Sequence, residues 1–300
     1  MFPLCCSVRG CGLPLASRDA NGESSLAPIG LFCEQGHHFE QAKAGYWSLL
    51  QPQDKKSAQA GDSDTAVEAR RRWLQRGHMQ GLVDRIGELL AATSDAIGTE
   101  LSESNGLSGL TVELGCGEGT FSQAIFGSAS PGSYCGVELS KKALRLAARS
   151  WPAATWVLAN ADRRLPFADH SIDRVVSLFG RRPYQEIVRV LADEGAAVVV
   201  VPGPEDLIEL RKQAQEVGQR KSRWEAIAKQ FSEVGLGLSS HVQWKQTVHL
   251  QDDALQDAMA MTYRAVRRSQ QQRIEQLGAA DVTLHAEILV FDKASHVPAA

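Results

Sequence analysis

Val112-Glu113-Leu114-Gly115-Cys116-Gly117-Glu118-Gly119 is the stretch on which the fold turns. An apolar strand pattern, Leu110 to Leu114, runs into three alternating glycines, and a helical pattern starts at Thr120. Glycine permits the tight turn and lets a ligand approach the backbone. Strand, glycine turn and helix open a nucleotide-type α/β unit, though related turns serve nicotinamide and flavin enzymes. Two details narrow the choice. The spacing is G-x-G-x-G rather than G-x-G-x-x-G, and Glu113 stands two positions before Gly115.

A carboxylate there would repel the pyrophosphate of a dinucleotide. S-adenosylmethionine carries no phosphate, and its ammonium group favours nearby acceptors. The next strand ends in Gly136-Val137-Glu138, about 20 residues beyond the glycine turn, where an acid accepts ribose hydroxyls. The third leads into Asn160-Ala161-Asp162, whose acid or amide suits an adenine amino group. Acids at consecutive strand ends fit the rule that open α/β sheets bind ligands at the carboxyl ends of their strands.

Outward from the turn, strand and helix patterns alternate. Strands are expected at 110–114, 134–138, 155–159, 174–179 and 196–201. Helices are expected at 120–126, 140–150, 184–191 and near 206–217. A strand near 242–250, a helix from 253 to about 266 and a strand at 282–291 follow, the two strands suited to an antiparallel edge. Such alternation predicts a Rossmann-like α/β fold with a doubly wound, mainly parallel sheet. Upstream, Val67, Trp73, Leu74, Leu82, Ile86 and Leu89-Leu90 recur at helical spacing across 66–92.

Residues 1–50 read differently: short loops, with Cys5, Cys6, Cys11 and Cys33 crowded together. Cys6-x4-Cys11 and Cys33-x3-His37 offer three thiolates and an imidazole, a set that satisfies tetrahedral Zn²⁺. Cys5 and His38 are alternatives to Cys6 and His37. A region so poor in apolar residues would draw folding energy from the metal. The expected organisation is a zinc-binding domain at 1–50, a linker and helical segment at 51–106, and a catalytic domain at 107–295.

Of 300 residues, 43% are hydrophobic and the net charge is −3, ordinary for a soluble globular chain. No apolar run is long enough to span a bilayer. The start Met1 to Cys6 lacks the pattern of a signal peptide, so a cytoplasmic protein is expected. Basic residues cluster at Lys55-Lys56, Arg70 to Arg72, Arg163-Arg164, Arg181-Arg182 and Arg267-Arg268. These would contact phosphates if the partner were a nucleic acid.

The glycine turn, Glu138, Leu165-Pro166-Phe167 and Ser171 to Ser177 resemble the class I methyltransferases over residues 107–205. A narrower likeness spans nearly the whole chain. The zinc-ribbon start, His38 to Leu50, Gly61-Asp62-Ser63, Ala69-Arg70-Arg71, Gly77-His78, Pro202-Gly203-Pro204 and Met261-Thr262 are similar to the bacterial 23S rRNA guanine-N1 methyltransferases. The resemblance implies that Cys6, Cys11, Cys33 and His37 hold structural zinc and that this region helps recognise RNA. It implies cofactor contacts for Gly117 and Glu118, beside Glu113, Gly115, Gly119, Glu138 and Asp162. Met79 falls where the family has an aromatic residue near the cofactor, and Asp206 where it has a histidine. Arg181-Arg182-Pro183 replaces a Pro-Cys turn in the loop facing the substrate.

Guanine N1 carries a proton that must leave, so a base is useful. Asp62 and His78 are the candidates, and Tyr46 and Trp47 are candidates to stack the unstacked base. Ribosomal RNA is the expected partner, no membrane is, and a homodimer is left open. The alternatives are a small-molecule methyltransferase of the same fold and a non-catalytic zinc-containing RNA-binding protein.

Overall fold

The computed structural model describes residues 2–18, 30–54, 62–96, 109–215, 221–262 and 278–295. Lys55-Lys56, Gly61, Arg267-Arg268 and the expected helix beyond Thr262 lie outside them.

Strands β1 (Ala16–Arg18), β2 (Gly30–Phe32) and β3 (His38–Glu40) form a three-stranded antiparallel sheet. The main sheet has eight strands. In chain order they are β4 (Trp47–Ser48), β5 (Thr111–Leu114), β6 (Tyr134–Glu138), β7 (Thr155–Leu158), β8 (Ile172–Leu178), β9 (Leu191–Pro202), β10 (Gly237–Gln251) and β11 (Ala279–Asp292). Their spatial order is β10-β11-β9-β8-β5-β6-β7-β4. Neighbours from β9 to β4 are parallel, and β11 and β10 add antiparallel at one edge, as the sequence suggests. The order runs outward from β5 to β7, then returns to β8 on the other side of β5. That reversal opens the crevice in which doubly wound folds bind ligands.

The run Ala196 to Val201 is buried on both faces, which explains its unbroken apolarity. Ala197, Val199 and Val201 join one core layer, while Ala196, Val198 and Val200 join the other. Helix α4 (Lys141–Ser150) shows how local chemistry sets element ends. Ser140 caps it, its hydroxyl accepting the Ala143 N–H at 3.2 Å.

The helical pattern over 66–92 is two helices, not one: α1 (Asp64–Gln75) and α2 (Gln80–Ala96). Gly77, at φ +77°, turns the chain between them. The end of α1 is pinned from outside, because Arg72 and Arg76 both bind the buried carboxylate of Asp257. Asp257 lies on the helix Asp252–Thr262, distant in sequence. The break places Met79 in the connection between the two helices, packed against both neighbouring core layers. A helix at Trp224–Ser232 was not anticipated; Ile227 and Phe231 bury its inner face.

The N-terminal segment shares the main core. Phe2, Leu4, Leu31, Phe39, Trp47 and Leu49 pack with Leu165 and Phe167, and the Phe2 and Phe167 rings meet edge-on at 5.6 Å. Strand β4 extends the parallel sheet beyond β7, and the Leu49 N–H donates to Leu158 O at 3.0 Å. No described helix is long and apolar enough to cross a membrane.

Candidate functional site: an acidic crevice and a Cys/His cluster

At the reversal point lies a cavity of about 750 Å³. Of the residues expected to bind cofactor, Glu113, Gly115, Gly117, Glu118, Glu138, Asp162, Met79 and Asp206 line it. Gly119 does not. It begins helix α3 (Thr120–Phe126) at φ +82°, and a Cβ there would stand 2.9 Å from Ala147 Cβ and from the Trp156 ring. Its absent side chain serves helix–sheet packing. Gly115 is needed instead for its backbone, at φ +76°; a Cβ there would only make ordinary contact with Gly180 Cα at 3.4 Å.

Glu138 is built into the turn. Its Oε2 accepts the Gly117 N–H at 3.1 Å, and its Oε1 accepts the N–H groups of Leu139 (2.6 Å) and Ser140 (2.8 Å). The carboxylate is thereby locked at the rim of the crevice. Asp162 closes the far side, paired with the largely exposed Arg181 at 3.1 Å. Asn160 spends its amide on Asp54 O at 2.9 Å. Among the described lining residues, Asp62, Glu113, Glu118, Glu138, Asp162 and Asp206 face only Arg70 and Arg181 as ionic opposites. Such a lining suits a sulfonium and an ammonium and repels phosphate.

Two of these acids are unusual. Glu118 is 3% exposed, its Oε1 has no hydrogen-bond partner, and burial raises its pKa. An orphaned buried acceptor on the cavity wall fits a ligand bearing a cationic donor. Glu113 is also fully buried, and its Oε2 accepts the hydroxyls of Ser122 and Tyr134, each at 2.8 Å. Burial outweighs those bonds and lifts its pKa to about 7. At neutral pH it is therefore only partly charged, and the remaining acids carry most of the repulsion assigned to it.

Glu113 has a measurable consequence in the ligand-free protein. Its folded pKa of about 7 lies above the ordinary 4.5, so between those values the folded state holds a proton that the unfolded chain releases. Its contribution to stability is full below pH 4.5 and is lost as pH rises to about 7. From pH 5 to 8 the loss is roughly 2–3 kcal/mol. Urea midpoints should thus fall more steeply with pH in the wild type than in Glu113→Gln. Parallel profiles would contradict the assignment.

The other candidates separate. Asp62 reaches the cavity and pairs with Arg70 at 2.5 Å. His78 does not line it; its ring lies 4.8 Å from that of Trp73. Burial holds the pKa of His78 low. Tyr46 and Trp47 are buried core residues that touch neither the cavity nor solvent, which removes them as base-stacking groups. Sequence reasoning missed Phe179 and Phe121, which line the cavity. Phe179 read as the end of a strand, and nothing local marks its side chain as exposed.

In the N-terminal segment, Cys6, Cys11, Cys33 and His37 converge, with all four ligand atoms within 4.8 Å of one another. Sγ of Cys11 and Cys33 are 3.8 Å apart, and His37 Nδ1 lies 3.5 Å from Cys6 Sγ and 3.3 Å from Cys33 Sγ. Tight turns shape the cluster: Cys11 N–H bonds Val8 O, and Gly36 N–H bonds Cys33 O. The alternatives fall away. Cys5 is tied by its N–H to Pro166 O, and His38 stacks on Phe32 at 4.4 Å.

Residues 112–195 match a methyltransferase-domain family model. Over 206 residues the chain is 32% identical to a protein of Micromonospora griseorubida named for 23S rRNA guanine-N1 methylation, covering 67% of this chain and 66% of that one. A Bacillus subtilis protein named for the same activity is 28% identical and covers 95% of this chain and 96% of its own. The 23S rRNA (guanine(748)-N(1))-methyltransferase of Streptomyces fradiae is 28% identical over 84% of this chain and 82% of its own. With the glycine turn, Glu138 and the acidic crevice in place, the chain belongs to the 23S rRNA (guanine-N1)-methyltransferase family and is an S-adenosylmethionine-dependent methyltransferase.

Proposed function

We propose that the protein methylates N1 of a guanine in 23S rRNA, and that Cys6, Cys11, Cys33 and His37 hold a structural zinc ion. The alignment with the B. subtilis relative carries the substrate reading, because it covers 95% of this chain, metal cluster and crevice together. The cluster's own geometry carries the metal. Tetrahedral zinc with ordinary bond lengths needs roughly 3.8 Å between sulfurs and roughly 3.5 Å between sulfur and nitrogen. The observed 3.8, 3.5 and 3.3 Å agree. The site of action follows the substrate and is the cytoplasm.

Bound S-adenosylmethionine supplies an electrophilic methyl group. The protein's task is orientation. Glu138, fixed by three backbone N–H groups, would accept ribose hydroxyls, and Asp162, on the cavity wall, would face the adenine. The orphaned Glu118 Oε1 meets the ammonium. Asp62 is the candidate that reaches the cavity to receive the N1 proton, and it is held there by its pairing with Arg70.

Labelled methyl transfer to purified 23S rRNA tests the reading, followed by primer extension to map the modified base. A stop at one guanine, absent when Glu138 is replaced, is the expected result. Label found only in small molecules, with unchanged rRNA, would favour the small-molecule alternative.

A further inference from the structure

Phe179 stands out from every other large apolar side chain among the described residues. It is 40% exposed, at the cavity wall, directly after the buried Ser177 and Leu178. Its backbone is at φ +56°, the left-handed region that strains any residue with a Cβ and that glycine or asparagine would occupy more easily. The strain is held from several sides. The Phe179 N–H donates to Val200 O at 2.9 Å, and Ser177 Oγ donates to Arg181 O at 2.9 Å. Gly180 lies so close to the glycine turn that a Cβ would stand 2.4 Å from Leu114 O. A strained, exposed aromatic that the surroundings enforce points to a function for its ring.

Its position says which function. Glu138 and Asp162 place the cofactor over β5, β6 and β7. Phe179 follows β8, across the reversal point, in the half of the crevice left for the methyl acceptor. Phe121, half-buried in the first turn of α3, lies beside it with ring centroids 6.2 Å apart at 42°. Enzymes that modify a base hold it by stacking once it leaves the helix.

We propose that Phe179, backed by Phe121, is the stacking surface for the extruded purine base. The proposal rests on the rRNA reading above and adds the subsite that holds the base. Stacking is lost when the ring is removed, at a cost of about 10–100-fold in kcat/KM for RNA.

The test compares wild type with Phe179→Ala, Phe179→Gly, Phe179→Leu and Phe179→Trp at saturating cofactor. The Ala, Gly and Leu variants should lose that factor on 23S rRNA, and Trp should restore most of it. Cofactor affinity by calorimetry should stay within about twofold of wild type, since every variant leaves Glu138 and Glu118 in place. Phe179→Gly should melt no lower than wild type, because the strain is relieved. A single-stranded oligoribonucleotide containing 2-aminopurine gives a direct readout: its fluorescence should be quenched by wild type and not by Phe179→Ala. Equal quenching by both, or a Leu variant as active as wild type, overturns the proposal. So does a loss confined to cofactor affinity. A wild type that methylates no rRNA, yet quenches the probe through Phe179, would remove the rRNA reading and leave the stacking subsite standing.

Discussion

Cys33→Ser should leave the purified protein without its zinc ion and lower its melting temperature substantially. All four ligand residues lie in turns and loops, and the regular structure beside them among the described residues is strands of three residues. Zinc binding in finger peptides supplies about 10–16 kcal/mol of folding free energy. In this chain Phe2, Leu4, Leu31, Phe39 and Trp47 also anchor the segment to the main core. Losing even ~3 kcal/mol would lower Tm by roughly 5 °C in a chain of this size. A chelator should reproduce the shift in wild type. Cys5→Ser is the control: Cys5 is buried near the cluster but outside it, so zinc content should be unchanged. Metal analysis decides the matter, and a full complement of zinc in Cys33→Ser would remove that residue from the ligand set.

The second large effect is expected at Glu138. Replacement by Ala removes the acceptor proposed for the ribose and also strips three N–H groups of their partner. Hydrogen bonds to a charged group contribute about 1.5–3 kcal/mol each. Water will satisfy part of what is lost, since the residue borders the cavity. A weakening of S-adenosylmethionine binding by about 100-fold or more follows, near 3 kcal/mol. Glu138→Gln should fall between, because its amide keeps one acceptor oxygen but turns N–H groups toward other donors. Calorimetric titration measures both. Affinity within about threefold of wild type for Glu138→Ala would place the ribose elsewhere.

Reading the chain left to right finds the catalytic turn because its constraints are local. A strand that must end against a ligand needs glycines at positive φ, and Gly115, Gly117 and Gly119 have it. Glu138 was legible for the same reason: the following Ser140 caps α4, so the strand end and helix start share three residues. The metal cluster was legible in type and spacing. Elsewhere, identical signals carried different meanings. Glu113 looked like a charge facing the ligand, yet burial beside Tyr134 and Ser122 leaves it about half-protonated at neutral pH. Tyr46 and Trp47 looked like RNA-stacking aromatics, but both are closed into the core.

The sequence by itself determined the α/β fold, the nucleotide-type turn, the acids at the strand ends and the residue types of a metal site. Each of these depends on neighbours a few residues away. Tertiary structure alone decided that Cys6 and His37, not Cys5 and His38, face the cluster. It also decided that the helical stretch breaks at Gly77 and that Phe179 stands exposed at the wall of the crevice. Those outcomes depend on contacts between segments far apart in the chain: Pro166 against Cys5, Asp257 against Arg72 and Arg76, and Leu114 against Gly180. No local pattern encodes such contacts. The glycine turn therefore announces that a cofactor binds, while the packing around it decides what else can reach the methyl group.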